Sequence, residues 1–503
     1  MFNKKILVLG NETVDTDLQV TALATSNTTI NHGLLINELS EISQPGYYHT
    51  TVVDLSPGAI ANLANKFDKI MLLDQPHDSY PHAKTLLTTL RLCQDLEQLG
   101  VNVEYKNTFS AKNMLYWRDY LNKNKSFCFY PFLSLINYTD FTSHCPKKVV
   151  PVKKLSDIQD WSTDPEYNII RNKMLNGELM PERCSDCYAR EAEGQESTRQ
   201  FETLEWAQRI GATSVEDFLK IKSPLMYEIR PSNKCNIMCR TCDPHHSHLI
   251  EKEWKLIGYR NYKEFKFNNT PFDKIDFKSA VSIYIGGGEP TIMPEFYDFL
   301  RKCIADNATN FEFNIGSNGL KISDTLLELL DHFSNVCFAL SIDGYKQVND
   351  YIRWGSDFDT VIDNSRILRQ RGHTVSLQTV FSMWNITRMH ELFEFYDSEF
   401  PESGCLVNVA TGEEDIFMPY NHPCPEMVIE SMELCQKTKV YFNNGRSIKS
   451  QVDVLLEYYK NPMYQINVEQ LTKFYKFNDM LDQSRQSNLV DYIPELAQAK
   501  NQL

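Results

Sequence analysis

The sequence predicts an α/β protein in which a partial barrel of six parallel strands follows an N-terminal α/β domain and a small cysteine-rich segment. Two stretches of the chain alternate short strand-like runs with helical patterns, which is typical of parallel sheets. Seven of the 13 cysteines fall into two groups with the spacing of metal ligands. A length of 503 residues suggests about three domains.

The first alternating stretch predicts a Rossmann-like α/β domain over residues 1–110. Short apolar runs predict strands at 6–9, 51–53, 70–73 and 101–103, and longer patterns predict helices at 57–66 and 83–99. Gly10 follows the first strand, but no G-x-G-x-x-G motif accompanies it. A docking or recognition role is therefore favoured over a nucleotide site.

The second alternating stretch predicts an open, partial (β/α)6 barrel over residues 223–412. Its predicted strands are 226–230, 281–285, 311–315, 336–342, 375–381 and 406–409. Helical patterns separate them at 247–256, 294–305, 324–332, 360–371 and 388–398. Six repeats are too few for a closed eight-stranded barrel. The remaining residues, 413–503, read as a mostly helical C-terminal extension.

Bulk properties exclude some partners and favour a cytoplasmic location. A net charge of −15 argues against a general nucleic-acid binder, which would present a basic face to phosphates. No apolar run reaches the roughly 20 residues that a membrane span needs, and the apolar run at 6–9 is too short for a secretory signal. We therefore expect neither nucleic acid nor membrane as a partner.

Three cysteines stand close together where the chain leaves the first barrel strand. Cys235, Cys239 and Cys242 place three thiolates, the soft ligands of iron–sulfur clusters, within eight residues. Three ligands on a four-iron cube leave one iron open for a substrate. The alternative is a structural zinc that His245 or His246 would complete.

Small polar groups follow the next four predicted strands. They are Gly287-Gly288-Glu289 after the second strand, Asn318 after the third, Ser341 and Asp343 around the end of the fourth, and Ser382 with Asn385 after the fifth. Each is a common turn on its own. Ligands of open α/β sheets bind at the carboxyl ends of the strands, so the four turns together predict one ligand-binding rim beside the cysteines.

Four motifs follow one another along the chain: the cysteine triplet, Gly-Gly-Glu-Pro, Ser-Asn-Gly and Ser-Ile-Asp-Gly. In this order they resemble the radical S-adenosylmethionine (radical SAM) superfamily over about 226–410. The resemblance implies that Cys235, Cys239 and Cys242 hold a 4Fe–4S cluster whose fourth iron is chelated by S-adenosylmethionine. It implies cofactor contacts from Gly287, Gly288, Glu289, Asn318, Ser341, Asp343 and Ser382. Arg353 suits the cofactor carboxylate by its geometry, or is a surface arginine. Many members have an aromatic residue where this chain has Thr241, so their adenine packing does not carry over.

A second set of cysteines lies in the segment 111–222. Cys128, Cys145, Cys184 and Cys187 suit either zinc or an iron–sulfur cluster, and spacing does not separate the two. Residues 169–199 resemble the twitch module, a shortened SPASM domain that binds an auxiliary iron–sulfur cluster in some radical SAM enzymes. Here the segment precedes the predicted barrel, whereas in better-known members the module follows it.

The resemblance implies an enzyme that cleaves S-adenosylmethionine reductively to a 5′-deoxyadenosyl radical, which abstracts hydrogen from a substrate. An auxiliary cluster suits oxidative modification of a peptide or protein, with an electron donor such as flavodoxin or ferredoxin. One alternative is the same chemistry on a small metabolite, such as a sugar or nucleotide. The non-catalytic alternative is a zinc-binding protein. No side chain is predicted as a catalytic acid, base or nucleophile.

Overall fold

A computed structural model describes residues 108–138, 141–192, 196–259, 275–401, 403–410, 416–443 and 446–500, together with the backbone of five strands before them. The chain divides into two compact units. The first comprises Met1–Phe132 and Ile169–Ile221, and the second comprises Leu133–Asn168 and Lys222–Leu503. Within the described residues, none of the helices combines the length and the apolar character that a bilayer span requires.

The first unit contains a five-stranded parallel sheet in the order β3-β2-β1-β4-β5. Its strands are β1 (Ile6–Leu9), β2 (Val20–Ala24), β3 (Gly46–His49), β4 (Lys69–Leu73) and β5 (Asn102–Lys106). Three predicted strands are thus confirmed, while β2 and β3 were not expected. The predicted strand at 51–53 and the helices at 57–66 and 83–99 lie outside the described residues. The Rossmann-like assignment stays a prediction.

Six helices follow this sheet along the chain. They are α1 (Thr108–Lys123), α2 (Tyr130–Leu133), α3 (Pro165–Leu175), α4 (Pro181–Ala192), α5 (Thr198–Arg209) and α6 (Val215–Leu219). A buried ion pair joins α4 to α5, because Arg199 donates from Nε and Nη2 to the two carboxylate oxygens of Glu191 at 2.9 and 2.7 Å. Arg199 also donates to the Phe127 carbonyl at 2.9 Å. This network fixes the segment that carries Cys128.

The second unit is built on an eight-stranded sheet in the order β15-β14-β12-β11-β10-β8-β6-β7. Its strands are β6 (Ser134–Tyr138), β7 (Phe141–Ser143), β8 (Met226–Arg230), β10 (Ser282–Ile285), β11 (Glu312–Ser317), β12 (Val336–Ser341), β14 (Thr374–Phe381) and β15 (Cys405–Val409). All neighbours are parallel except β6 and β7. The short strands β9 (Met238–Cys239) and β13 (Arg353–Trp354) pair separately, antiparallel.

This sheet confirms the six predicted barrel strands and adds β6. Strand β6 pairs in parallel with β8, from Ser134 opposite Met226 to Tyr138 opposite Arg230. It comes from the predicted cysteine-rich segment 111–222, which the structure therefore divides between the two units. The expected bounds of the cysteine-rich module stay a prediction, and the pairing of β6 with β8 joins segments that lie far apart in the sequence.

Six helices lie between the strands of this sheet along the described chain. They are α7 (His248–Leu256), α8 (Pro294–Ala305), α9 (Asp324–Leu330), α10 (Gln347–Ile352), α11 (Phe358–Gln370) and α12 (Met389–Glu399). Along β11, Phe313 and Ile315 are buried, whereas Asn314 and Gly316 on the other face are partly exposed. Strand β14 alternates in the same way. Both strands therefore bury one face more fully than the other.

The C-terminal extension is helical, as predicted. Its helices are α13 (Pro425–Cys435), α14 (Lys439–Asn443), α15 (Arg446–Lys460), α16 (Val468–Arg485), α17 (Leu489–Tyr492) and α18 (Pro494–Lys500). Apolar residues of α16 share a buried cluster with Ile250 and Trp254 of α7 and with Tyr351 of α10. Burial of this apolar area holds the extension against the segment that follows the cysteines.

Candidate metal centre and cofactor rim

The loop with the three cysteines is fixed by backbone contacts on both sides. Cys239 lies in β9, where its register partner is Arg353 of β13. The Cys242 amide donates to the Cys239 carbonyl at 3.2 Å, which makes a tight turn between them. Asn233 closes the loop by donating from Nδ2 to the Pro244 carbonyl at 3.0 Å. The three thiols are therefore presented from one ordered turn-rich segment.

Cys235 is buried, whereas Cys239 and Cys242 are partly buried. Burial, together with the neighbouring Cys239, raises the pKa of Cys235 to about 12. Burial also raises the pKa of Cys242, with added contributions from Cys239, Asp243 and Cys235. These mutual effects place the three thiols within electrostatic reach of one another. Metal ligation requires thiolates, so a metal binding here would release protons and offset the burial of negative charge.

No group of three or more His, Cys, Asp or Glu side chains is gathered around one ion position within the described residues. Cysteines on an iron–sulfur cube bind different irons, whereas zinc ligands share one ion. Of the histidines considered for zinc, His246 has its Nδ1 3.0 Å from an Asp243 carboxylate oxygen. His245 donates from its backbone amide to the same oxygen at 2.7 Å.

The glycines after β10 pack directly on the backbone of the cysteine loop. Gly288 donates from its amide to the Ser232 carbonyl at 3.0 Å, and Glu289 donates to the Lys234 carbonyl at 2.7 Å. A Cβ atom on Gly288 would lie 2.0 Å from the Lys234 carbonyl oxygen, closer than atoms can approach. Glycine is thus required here for contact between two backbone segments. Cofactor contact by Gly287 and Gly288 stays a prediction.

Glu289 is fully buried and joins the ends of two neighbouring strands. Its Oε1 accepts hydrogen bonds from the Thr291 hydroxyl and the Ser317 hydroxyl, both at 2.8 Å. Its Oε2 accepts from the Asn318 amide at 2.6 Å. Burial raises the pKa of this carboxyl, and the hydrogen bonds oppose that shift. The carboxylate therefore holds the rim together, and its expected contact with a cofactor amino group is untested.

Asn318 links this rim to the cysteine loop. Its Nδ2 donates to Oδ1 of Asn236 at 2.7 Å. Asn236 lies between Cys235 and Cys239 in sequence. The end of β11 therefore supports the loop directly, in addition to the glycine contacts from β10.

Arg353 is not a surface arginine, because only 11% of its side chain is exposed. It forms an ion pair with Asp343, from Nη1 to Oδ2 at 2.8 Å. The other carboxylate oxygen of Asp343 accepts from the Val380 amide at 2.9 Å. Two predicted rim residues thus meet in one buried pair beside Cys239.

The Nε–H of Arg353 is buried, and no hydrogen-bond partner for it is found among the described residues. An unmade hydrogen bond of this kind costs about 1–3 kcal/mol, so such a donor suits a ligand. The same guanidinium interacts electrostatically with Cys239 and Cys235. A buried cation with one unused donor beside three thiols fits an anionic group, either an iron–sulfur cluster on those thiols or a carboxylate next to it.

Comparison with known families decides the assignment of this region. Residues 229–396 match the model of the Radical SAM superfamily. This chain contains a radical SAM domain. The match lies inside the span 226–410 that the motifs predicted.

Three curated relatives resemble parts of this chain. An uncharacterized protein of Methanothermobacter thermautotrophicus is 32% identical over 33% of this chain and 62% of its own length. The sporulation killing factor maturation protein SkfB of Bacillus subtilis is 25% identical over 26% of this chain and 29% of its own. The mycofactocin maturase MftC of Mycobacterium tuberculosis is 28% identical over 35% and 43%. The chain thus spans less than two thirds of each relative.

Among solved structures, Streptococcus suis SuiB bound to its precursor peptide SuiA matches 66% of this chain and 64% of its own. The sequence identity is 15% and the TM-score is 0.29. This likeness concerns the fold alone.

The remaining predicted residues of the radical SAM domain form a polar turn after β14. Asn385 donates from Nδ2 to the Asp343 carbonyl at 2.7 Å. Its Oδ1 accepts from the Ser382 amide at 2.8 Å and from the Ser382 hydroxyl at 3.1 Å. Ser341 is partly exposed at the end of β12. Ser382 and Asn385 therefore order the rim, and cofactor contacts by Ser341 and Ser382 stay predictions.

The second cysteine set is split by the division into units. Cys184 and Cys187 lie on α4, three residues apart and so on one helix face, and buried Cys128 belongs to the same unit. Burial raises the pKa of Cys187, and Arg199 opposes the shift. Cys145 follows β7 in the second unit. An auxiliary cluster on these four residues stays a prediction.

Sequence reasoning missed two groups that shape the radical SAM domain. Asn236 lies inside the cysteine motif, and this position could have indicated that its side chain contacts the rim. Arg240 is also in the motif, but its side-chain partner Asn478 is 238 residues away. No local pattern announces a contact of that range.

Proposed function

We propose that the chain reductively cleaves S-adenosylmethionine at a 4Fe–4S cluster held by Cys235, Cys239 and Cys242. We further propose that it oxidatively modifies a peptide or protein substrate. The observation that carries the proposal is the partly buried cysteine loop, closed against the Gly287–Glu289 turn and flanked by the unused donor of Arg353. When bound, such a cluster with S-adenosylmethionine supplies one-electron cleavage of the sulfonium, giving the 5′-deoxyadenosyl radical that abstracts hydrogen.

In this proposal the rim residues orient the cofactor and the loop. Arg353 offers its Nε–H to the cofactor carboxylate while its ion pair with Asp343 keeps the guanidinium in place. The backbone of the Gly287–Glu289 turn faces the cofactor amino group. Further proposed contacts come from the other polar groups at strand ends, Asn318, Ser341, Asp343 and Ser382.

The less buried face of the sheet is the proposed substrate surface. Near the cysteine loop it carries Arg230, whose guanidinium lies 4.9 Å from the Tyr138 ring centroid and 6.0 Å from that of Tyr284. Glu228 accepts from Arg230 Nη2 at 2.8 Å. A paired cation between aromatic rings offers both polar and apolar contacts, which suits a peptide. Two relatives named for maturation, SkfB and MftC, favour a peptide or protein over a sugar or nucleotide.

Several further assignments belong to the same proposal. The second cysteine set would hold an auxiliary iron–sulfur cluster in a twitch-like module and accept an electron from the substrate radical. The N-terminal parallel sheet would be a Rossmann-like docking domain. A flavodoxin or ferredoxin would supply the electron, and the enzyme would work in the cytoplasm.

Metal analysis of anaerobically purified protein separates this proposal from a zinc-binding protein. If both sites hold four-iron clusters, we expect about eight iron with acid-labile sulfide per chain, against about two zinc for structural sites. About four iron would support the radical SAM cluster and leave the auxiliary site without one. Stoichiometric zinc without sulfide would overturn the proposal.

The substrate class needs a separate experiment. A pull-down with the purified protein against a peptide library, run beside a thermal-shift screen of sugars and nucleotides, compares the two classes directly. Enrichment of peptides supports the proposal. A shift with a metabolite, and no peptide enrichment, would replace it with the metabolite alternative.

A further inference from the structure

The C-terminal helix α16 reaches into the cysteine motif through Arg240. This arginine stands between Cys239 and Cys242, and its side chain is fully buried. It donates from Nη2 to Oδ1 of Asp482 at 2.6 Å and from Nη1 to Oδ1 of Asn478 at 3.1 Å. Its Nη2 also donates to the Ser487 hydroxyl at 3.1 Å, so a residue of the motif is held by three side chains of the extension.

Asn478 is a common acceptor for three separate parts of the radical SAM domain. Besides Arg240, its Oδ1 accepts from the Tyr351 hydroxyl at 3.1 Å and from Nε1 of Trp384 at 2.8 Å. Its own Nδ2 donates to Asp482 at 3.0 Å. Tyr351 lies two residues before Arg353, and its ring lies 3.6 Å from the Arg240 guanidinium. One buried amide therefore connects the cysteine loop with the chain that carries Arg353.

A second buried ion pair joins the same helix to the segment after the cysteines. Arg485 donates from Nε and Nη2 to the two carboxylate oxygens of Glu253 at 2.8 and 2.6 Å. Their side chains are 1% and 5% exposed. Glu253 lies on α7, which begins six residues after Cys242. Helix α16 thus contacts both the motif itself and the helix that follows it.

The choice of polar groups at this position is informative. Buried ion pairs add little to the free energy of unfolding compared with well-packed apolar residues. Removing one partner is nevertheless strongly destabilising, because the other charge stays buried without a counter-charge. The surrounding cluster of α16 is apolar, including Phe474, Phe477 and Leu481. The Nη1 of Arg485 is buried without a hydrogen-bond partner among the described residues, whereas Asn478 both donates and accepts within the network. A hydrogen-bonded network inside apolar packing favours one arrangement of the groups that it joins.

We infer that Asn478 and Asp482 are positioning residues for the cysteine loop, acting through Arg240, and that the C-terminal extension is an integral part of the metal centre. The inference rests on the proposed function for its consequence in S-adenosylmethionine cleavage. The contacts that carry it belong to the chain itself, so the loop can be examined in the metal-free protein.

The test compares Asn478→Ala with Asp479→Asn, a change at the next residue of the same helix. Asp479 is 54% exposed and pairs with Lys500 near the C-terminus, so its change should leave the loop alone. In metal-free full-length protein, we expect amide hydrogen exchange across residues 235–242 to be about tenfold faster in Asn478→Ala. Asp479→Asn should exchange like wild type. Equal exchange in all three proteins would overturn the inference.

A second readout uses reconstituted protein at matched iron content. We expect Asn478→Ala to change the electron paramagnetic resonance spectrum of the reduced cluster, and to make about tenfold less 5′-deoxyadenosine. An unchanged spectrum and yield would contradict the positioning role. If wild type itself makes no 5′-deoxyadenosine, the proposed function fails, whereas the exchange result still decides the inference.

Tyr351→Phe serves if Asn478→Ala does not fold. This variant keeps the ring against Arg240 and removes only the hydroxyl, which donates to Asn478 at 3.1 Å and to Asp482 at 3.0 Å. We expect exchange of 235–242 to rise about threefold, since only the one hydroxyl donor shared by Asn478 and Asp482 is lost. Exchange equal to wild type would count against the inference.

Discussion

The two cysteine sets of this chain differ in how their ligands are supported. Cys235, Cys239 and Cys242 come from one loop. Three contacts hold that loop: the glycines after β10, the side chain of Asn318, and the bond from Arg240 to the C-terminal extension. In the second set, Cys184 and Cys187 share one helix, while Cys145 belongs to a different unit from the other three. The cysteines of the first set are close together in sequence, and residues far away in sequence hold their loop in place. The cysteines of the second set are themselves far apart in sequence.

The contrast shows when sequence spacing alone is sufficient to predict that thiols lie close together. A loop with three thiols in eight residues needs little from the rest of the fold to bring the thiols together. A set spread from Cys128 to Cys187 depends on how separate segments assemble. We therefore expect the first set to behave as one supported metal centre and the second set to be dispensable for S-adenosylmethionine cleavage.

The largest effect is expected from Cys239→Ala. Removing the middle ligand should eliminate the cluster on this loop, so iron per chain should fall by about four if the site holds a four-iron cube. Iron and sulfide assays of anaerobically reconstituted protein measure this loss. Cys424→Ala, at a partly buried cysteine of the extension, is the control and should keep full iron. Full iron in Cys239→Ala would show that the cluster lies elsewhere.

Arg353→Met should destabilise the radical SAM domain strongly. The change leaves the buried Asp343 carboxylate without its counter-charge, which should lower the free energy of unfolding by about 3 kcal/mol. The matched control is Arg366→Met, which breaks an exposed pair with Glu399 and should cost about 0.5 kcal/mol. Urea unfolding compares the two. Equal losses of unfolding free energy in the two variants would mean that burial does not strengthen the Arg353–Asp343 pair.

Gly288→Ala tests the contact between the glycine turn and the cysteine loop. Its new Cβ would meet the Lys234 carbonyl, so we expect a loss of about 2 kcal/mol and weaker iron retention. At Gly404 the nearest atom to an added Cβ is 3.9 Å away, and Gly404→Ala should change little. Thermal unfolding and iron content of both variants check this. A stable, fully loaded Gly288→Ala protein would refute the close approach.

Cys187→Ala should have the smallest effect on S-adenosylmethionine cleavage. If the second set holds its own cluster, iron per chain should fall by about half while 5′-deoxyadenosine formation per remaining cluster stays constant. Iron analysis combined with chromatography of the nucleoside measures both. Loss of cleavage without loss of iron would mean that the two sets are coupled, contrary to the comparison above.

The sequence predicted the barrel strands well because each apolar run with its following turn is a local signal. Phe311–Ile315 and the Gly287–Glu289 turn needed no knowledge of the rest of the chain. It did not predict that β6 pairs with β8, or that Asn478 meets Arg240, because both contacts join distant segments. Nor did it predict that the glycines after β10 pack on the backbone of the cysteine loop.

The most direct measurement is formation of 5′-deoxyadenosine by anaerobically reconstituted protein with dithionite and S-adenosylmethionine. We predict that wild type makes the nucleoside, that omitting dithionite stops it, and that Cys239→Ala makes none. If iron-loaded wild type makes no 5′-deoxyadenosine, or the Cys239→Ala variant makes as much as wild type, then this loop is not where a sulfonium is reduced.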